Sequence, residues 1–157
     1  MNMIPISPLQ LKQHFFTLLS IRANPNGSNE APINLEPVVF CNRSSKEPNH
    51  WSLGLGLKLK SADRKKPYIY EVEVEIQALV EVSSVFSEEK RDQLAFVNGL
   101  SLLYSAIREM LLTVTGRSAH GPMCVPTLNF GEIFARWNAE NKEKETRAER
   151  ADARAVK

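Results

Sequence analysis

The chain is short of nearly everything from which catalytic and metal sites are built. It has three histidines and two cysteines in 157 residues. Cys41 and Cys124 lie too far apart for a metal-binding pair and are too few for a disulfide framework, so a reducing compartment is the simpler setting. The seven glycines build no phosphate-cradling loop. Leu53-Gly54-Leu55-Gly56-Leu57 instead falls inside a strand, where glycines mark a thin stretch that another backbone or a ligand approaches closely. Neither sign of charge dominates: 20 basic residues against 18 acidic leave +2, too little to drive the protein onto nucleic acid or anionic lipid. No uninterrupted apolar run is present. Leu94–Val114 comes nearest, and Asn98, Ser101, Arg108 and Glu109 break it at a cost no bilayer-spanning helix bears easily. The start, Met1-Asn2-Met3-Ile4-Pro5, lacks the basic and apolar regions of a signal peptide. A cytoplasmic protein without membrane insertion is expected.

What the chain does have is alternation. Trp51, Leu53, Leu55, Leu57 and Leu59 alternate with Ser52, Gly54, Gly56, Lys58 and Lys60. Tyr70, Val72, Val74, Ile76, Ala78, Val80 and Val82 alternate with Glu71, Glu73, Glu75, Gln77 and Glu81. Period-2 patterns of this kind are half-buried strands, predicted over Trp51–Lys60 and Tyr68–Val82 and joined by the polar turn Asp63–Pro67. Pairing Leu59 with Tyr70, Leu57 with Val72 and Leu55 with Val74 puts both apolar rows on one face and Lys58 opposite Glu71. Leu9–Arg22 is a third strand, with Leu9, Leu11, Phe15, Leu19 and Ile21 on one face, although Phe16 and Leu18 break the alternation. Pro32 and Pro37 place the short run Val38–Cys41 at a sheet edge.

A helix follows over Ser87–Thr115, capped by Ser87, with a break near Asn98-Gly99 and an end at Gly116 in the left-handed conformation. Its polar stripe, Asn98, Ser101, Ser105 and Arg108, is narrow. On one side of it lie Val97, Tyr104, Ile107, Leu111 and Val114; on the other lie Phe96, Leu103, Ala106 and Met110. One sheet cannot cover both rows, so the first row is predicted to meet a second copy of the chain, each buried leucine-sized side chain adding roughly 2 kcal/mol. Asn129 and Glu132 form a capping-box pattern for a second helix with Phe130, Ile133, Phe134 and Trp137 on one face. Beyond Asn138 the composition turns to Lys, Glu, Arg and Ala. The expected organisation is an extension over 1–8, a domain over 9–138 and a solvated, charged tail over 139–157, in which Glu140–Lys144 and Glu143–Arg147 pairs sustain helix.

No nucleophile, base and orienting group assemble as a catalytic set, and no metal or cofactor site is expected. His120 and Cys124, four residues apart, lack the second pair that a tetrahedral site needs; His120 reads as a solvated loop residue. The row Glu71, Glu73, Glu75 is a solvated strand face. Arg64-Lys65-Lys66 has no interleaved aromatic platform for nucleic acid. These patterns define an α+β protein with a small antiparallel sheet and helices on one face.

Four segments, in order, resemble the bacterial export chaperone family SecB: Gln13–Ile21 its first strand, Tyr70-Glu71-Val72-Glu73 the start of its last strand, Leu103–Met110 its long helix, and Pro126-Thr127-Leu128-Asn129-Phe130 the segment joining its two helices. The resemblance implies a four-stranded antiparallel sheet with a long helix and a C-terminal helix packed on one face. It also implies assembly as a homotetramer, a dimer of dimers, and a holdase that binds unfolded polypeptide without nucleotide or metal. By position, Phe15, Phe16, Trp51, Met123, Val125 and Leu128 are the implied client-binding residues, since exposed aromatic and Met surface accepts apolar segments without demanding a sequence. Glu71 matches an acidic residue of the family's contact with the SecA motor, whereas Leu18 and Arg22 stand where the family has acids. A SecB-like chaperone dedicated to an antitoxin fits those departures. The competing expectation is a non-enzymatic adaptor that binds one folded partner.

Overall fold

The computed structural model describes residues 6–141. The chain divides into two compact units, Met1–Pro126 and Thr127–Lys157; the tail expected over 139–157, with its ion pairs, lies outside the described residues from residue 142 onward.

The first unit is built on four antiparallel strands, β1 (Leu9–Ala23), β2 (Ile33–Arg43), β3 (His50–Ser61) and β4 (Tyr70–Val82), in the order β1-β4-β3-β2. β2, β3 and β4 are consecutive hairpin partners, and β1 lies beside β4, linked to β2 by a connection across the sheet, which makes a Greek key. β2 is an edge strand, as Pro32 and Pro37 predict. The apolar rows of β3 and β4 are buried almost without exception. They face a long helical segment made of α1 (Glu88–Leu94), a π-helical turn (Ala95–Gly99) and α2 (Leu100–Thr115). α2 lies over β3 and β4 and buries Leu100, Leu103, Tyr104, Ile107, Leu111 and Thr115. The architecture is α+β, with the long helix on one face of the sheet.

The π turn occupies the segment in which the sequence predicts a break. At Gly99 the helix backbone comes down on β3: a Cβ there would lie 2.3 Å from Leu53 Cδ1. The helix begins and ends where expected, with Ser87 as N-cap and Gly116 as C-cap, but the Ser87 side chain makes no capping bond. Gly116 is right-handed at φ −57, because the chain continues in tight turns in which Ser118 N donates to Thr115 O and Gly121 N to Ser118 O. The left-handed glycine is Gly121, at φ 75.

The expected β3–β4 register is displaced by two residues. Leu59 pairs with Val72, Leu57 with Val74 and Leu55 with Ile76, so Lys58 meets Glu73 at 2.7 Å rather than Glu71. The cause lies in the connection. Pro67, Tyr68 and Ile69 are held by the loop after β1, where Ser28 N donates to Pro67 O, Asn24 Nδ2 to Tyr68 O and Asn24 N to Ile69 O. That segment is therefore lost to the hairpin. A two-residue shift keeps every side chain on its face, so hydrophobic pattern alone cannot detect it.

β1 also differs from its expected pattern. Register shifts between Leu11 and Gln13 and between Phe16 and Leu18 each add one residue, and each reverses the faces beyond it. Leu9, Leu11, His14, Phe16, Leu19 and Ile21 line up with the buried row of β4, while Phe15 and Leu18 line up with Gln77 and Glu75 on the opposite face. Phe15 does not share a face with Leu11 and Leu19.

In the second unit a helix, α3, runs over residues 130–141. Asn129 Oδ1 accepts from Gly131 N and Glu132 N at 3.1 and 3.3 Å, and its Nδ2 donates to Glu132 Oε1 at 3.0 Å. This is the expected cap, with the reciprocal bond made side chain to side chain. Phe134 and Trp137 stack at 6.3 Å.

Candidate binding surfaces

Three of the residues expected to line a client groove are core. Trp51, Met123 and Val125 are buried. Trp51 ties α1 to β3: its Nε1 donates to Asp92 Oδ1 at 2.9 Å, and the Arg43 guanidinium lies 5.4 Å from its ring centre. Around it Arg43 bonds Pro48 O at 2.8 Å and Glu88 at 3.2 Å, and Arg91 donates to Asn49 Oδ1. Neither arginine stood out in the sequence, since each looks like an ordinary surface charge until the fold places it against the same turn.

Met123 and Val125 are enclosed because the segment after α2 is stitched down. Thr115 Oγ1 donates to Leu111 O and accepts from Met123 N at 2.8 Å. Tyr70 donates to Gly121 O at 2.6 Å and Tyr104 to Pro126 O. His120, expected to be a solvated loop residue, has its Nε2 2.8 Å from Asn24 O and its ring edge-on to Tyr70. Phe15 is exposed, Phe16 half-buried, and Leu128, in the second unit, half-buried.

The row assigned to a subunit contact is also largely spoken for. Tyr104, Ile107 and Leu111 lie in the chain's own core; Val97 is half-buried, and Val114 is 44% exposed. The 100° step of an α-helix turns that row toward the sheet, and the flank left uncovered carries Leu102, at 46% exposure, with Ala106 and Met110 half-buried. The uncovered side of β1 matches it: Leu11 and Leu19 are exposed on the face where the helix lies, because α2 sits over β3 and β4. The surplus apolar surface is real, but it lies beside β1 and on the helix flank, not on the Tyr104–Ile107–Leu111 row.

The opposite face of the sheet carries the charges. Glu73 is held below the usual carboxylate range by the hydrogen bond and charge of Lys58, which is raised in return. Glu71 stands opposite Arg22 in the β1–β4 register. Among the described residues no group of His, Cys, Asp and Glu is arranged to hold a metal ion, and no helix is long and apolar enough to cross a membrane.

A four-stranded Greek-key sheet backed by one long helix and followed by a C-terminal helix is the fold of SecB-like chaperones. The SecB-like chaperone Rv1957 of Mycobacterium tuberculosis, solved in complex with a ChAD peptide from the HigA1 antitoxin Rv1956, superposes with a TM-score of 0.59 at 18% identity, over 77% of this chain and 91% of that one. A protein of unknown function from Streptococcus agalactiae superposes at a TM-score of 0.44 and 14% identity, over 76% of this chain and 97% of that one. No protein-family model matches the sequence, and no curated protein matches it either.

Proposed function

We propose that the protein is an ATP-independent holdase that binds unfolded or aggregation-prone polypeptide and works as an oligomer, with further copies covering β1 and the free helix flank. The carrying observation is the apolar surface this subunit leaves open: Leu11 and Leu19 on β1 and Leu102 and Val114 on the helix. Apolar surface of this extent calls for cover, which further copies supply, as a polypeptide-binding oligomer of this fold requires. The shared fold supports the reading, and the antitoxin peptide held by the mycobacterial protein makes a dedicated antitoxin client its finer form. The assembly is a cytoplasmic dimer of dimers, non-enzymatic and without cofactor. Arg22 opposite Glu71 favours a dedicated client over handover to SecA, since a cation now stands in register with the acid carried over from the family's SecA contact.

The test is suppression of aggregation of a chemically unfolded protein without nucleotide, with subunit number measured by light scattering. Suppression by an oligomer is the expected result. A monomer that fails at severalfold excess overturns the reading, and a single tight complex with one folded partner would point to an adaptor instead.

A further inference from the structure

The outer face of the sheet, away from the long helix, is not uniformly polar. Register places Phe15, Gln77, Gly54 and Phe40 side by side across β1, β4, β3 and β2, and Leu18, Glu75, Gly56 and Val38 in the next rung. Two apolar rungs thus cross a face whose following rung, Ser20, Glu73, Lys58 and Glu36, is charged. The glycines make the band concave. Phe40 fills the notch at Gly54, where a Cβ would lie 1.8 Å from its ring. Gly56 is different: a Cβ there would meet Val38 Cβ and Glu75 Cγ at 3.6 and 3.7 Å, ordinary contact distances. The result is an open trench of about 320 Å³ on the Gly54–Gly56 floor, walled by Val38 and Phe40 on one side and Glu75 and Gln77 on the other, with the Lys58–Glu73 pair at its charged end. Val38 is 64% exposed.

Charge completes the description. Glu75 is the one acidic side chain within the two apolar rungs. Among the described residues Lys58 is engaged by Glu73 at 2.7 Å, while the Glu75 carboxylate meets the Thr17 hydroxyl at 3.5 Å.

We propose that this trench seats an apolar side chain of an extended polypeptide segment over Gly56, with a lysine or arginine two residues along reaching Glu75. Side chains two apart in an extended chain point the same way, so one segment can present both groups to the sheet. The inference rests on the polypeptide-binding reading above and adds a second surface to it, with a stated preference for apolar-x-basic segments.

The probe is a fluorescein-labelled twelve-residue peptide of serine and threonine carrying one Leu-Ser-Arg, compared with its Leu-Ser-Gln counterpart by fluorescence anisotropy. Gly56→Val fills the trench at a position without positive φ and is expected to weaken Arg-peptide binding about tenfold, the scale of one lost apolar seat. Gly56→Ala, whose Cβ fits without collision, weakens it less and guards against misfolding. Glu75→Gln is expected to bind the two peptides equally. Unchanged affinity in the Gly56 variants, or no binding of either peptide by the intact protein, overturns the trench. So does a fall in subunit number in Gly56→Val with peptide binding intact, which would make the trench a contact between copies. Aggregation suppression is read in parallel: suppression by intact protein with trench variants indistinguishable from it sinks the trench alone, and absence of suppression sinks the holdase.

Discussion

Cys41 and Cys124 look alike in the sequence, two isolated thiols beside apolar residues, and the fold gives them different chemistry. Burial, and after it the Asp92 carboxylate, pushes the Cys41 thiol up to about 12, whereas Cys124 is exposed. Thiolate is the reactive form. In mildly alkaline buffer the native protein should therefore release one equivalent in a chromogenic thiol assay, and Cys124→Ser should abolish that signal until denaturant exposes Cys41. Two fast equivalents in the native state would contradict the shielding of Cys41, half-buried within β2. The same separation of like residues by environment applies to Phe15 and Phe16: adjacent in sequence and equal in hydrophobicity, they end on opposite faces of the sheet.

At the scale of elements, the segment after α2 is held by few groups. Thr115 is buried, donating to Leu111 O and accepting from Met123 N. Thr115→Val keeps the shape and removes both bonds, leaving the Met123 N–H buried without a partner, which costs about 1–3 kcal/mol. Chemical denaturation should show that loss in the midpoint with the slope unchanged; a variant as stable as the parent would mean that the segment is held elsewhere. Strands and helices themselves were legible, since period-2 and helical spacing reflect which side of an element meets the core. The phase of β1 and the register of β3 on β4 were not. The β1 bulges are single-residue insertions that hydrophobicity registers only as two misplaced residues, Phe16 and Leu18. The β3–β4 register was displaced by contacts between two loops, Asn24–Ser28 and Pro67–Ile69, that no local pattern connects.

For the molecule as a whole, the proposed assembly rests on the open apolar surface. Replacing Leu11 and Leu19 with serine removes apolar area from the exposed side of β1 without touching the core beneath α2. If further copies cover that side, each leucine lost from the contact costs roughly 2 kcal/mol, and light scattering should show dissociation to a smaller species with the circular dichroism of the parent. Oligomers of unchanged size would remove β1 from the interface. The prediction differs from one drawn from the sequence alone, which would have targeted Ile107 and Leu111. Those side chains are 0% exposed, and shortening them would empty the core instead of opening an interface.

By itself the sequence determined the inventory: four strands, a long helix interrupted near Asn98-Gly99, a capped helix from Asn129, and more apolar surface than one sheet face can cover. These follow from short-range spacing, because burial of an amphipathic element is written into its own periodicity. Tertiary structure alone decided which apolar residues are left over. That depends on where α2 settles across the sheet, on two bulges that turn Phe15 outward, and on a loop whose buried hydrogen bonds enclose Met123 and Val125. Each is a competition among distant segments for the same space and the same polar partners.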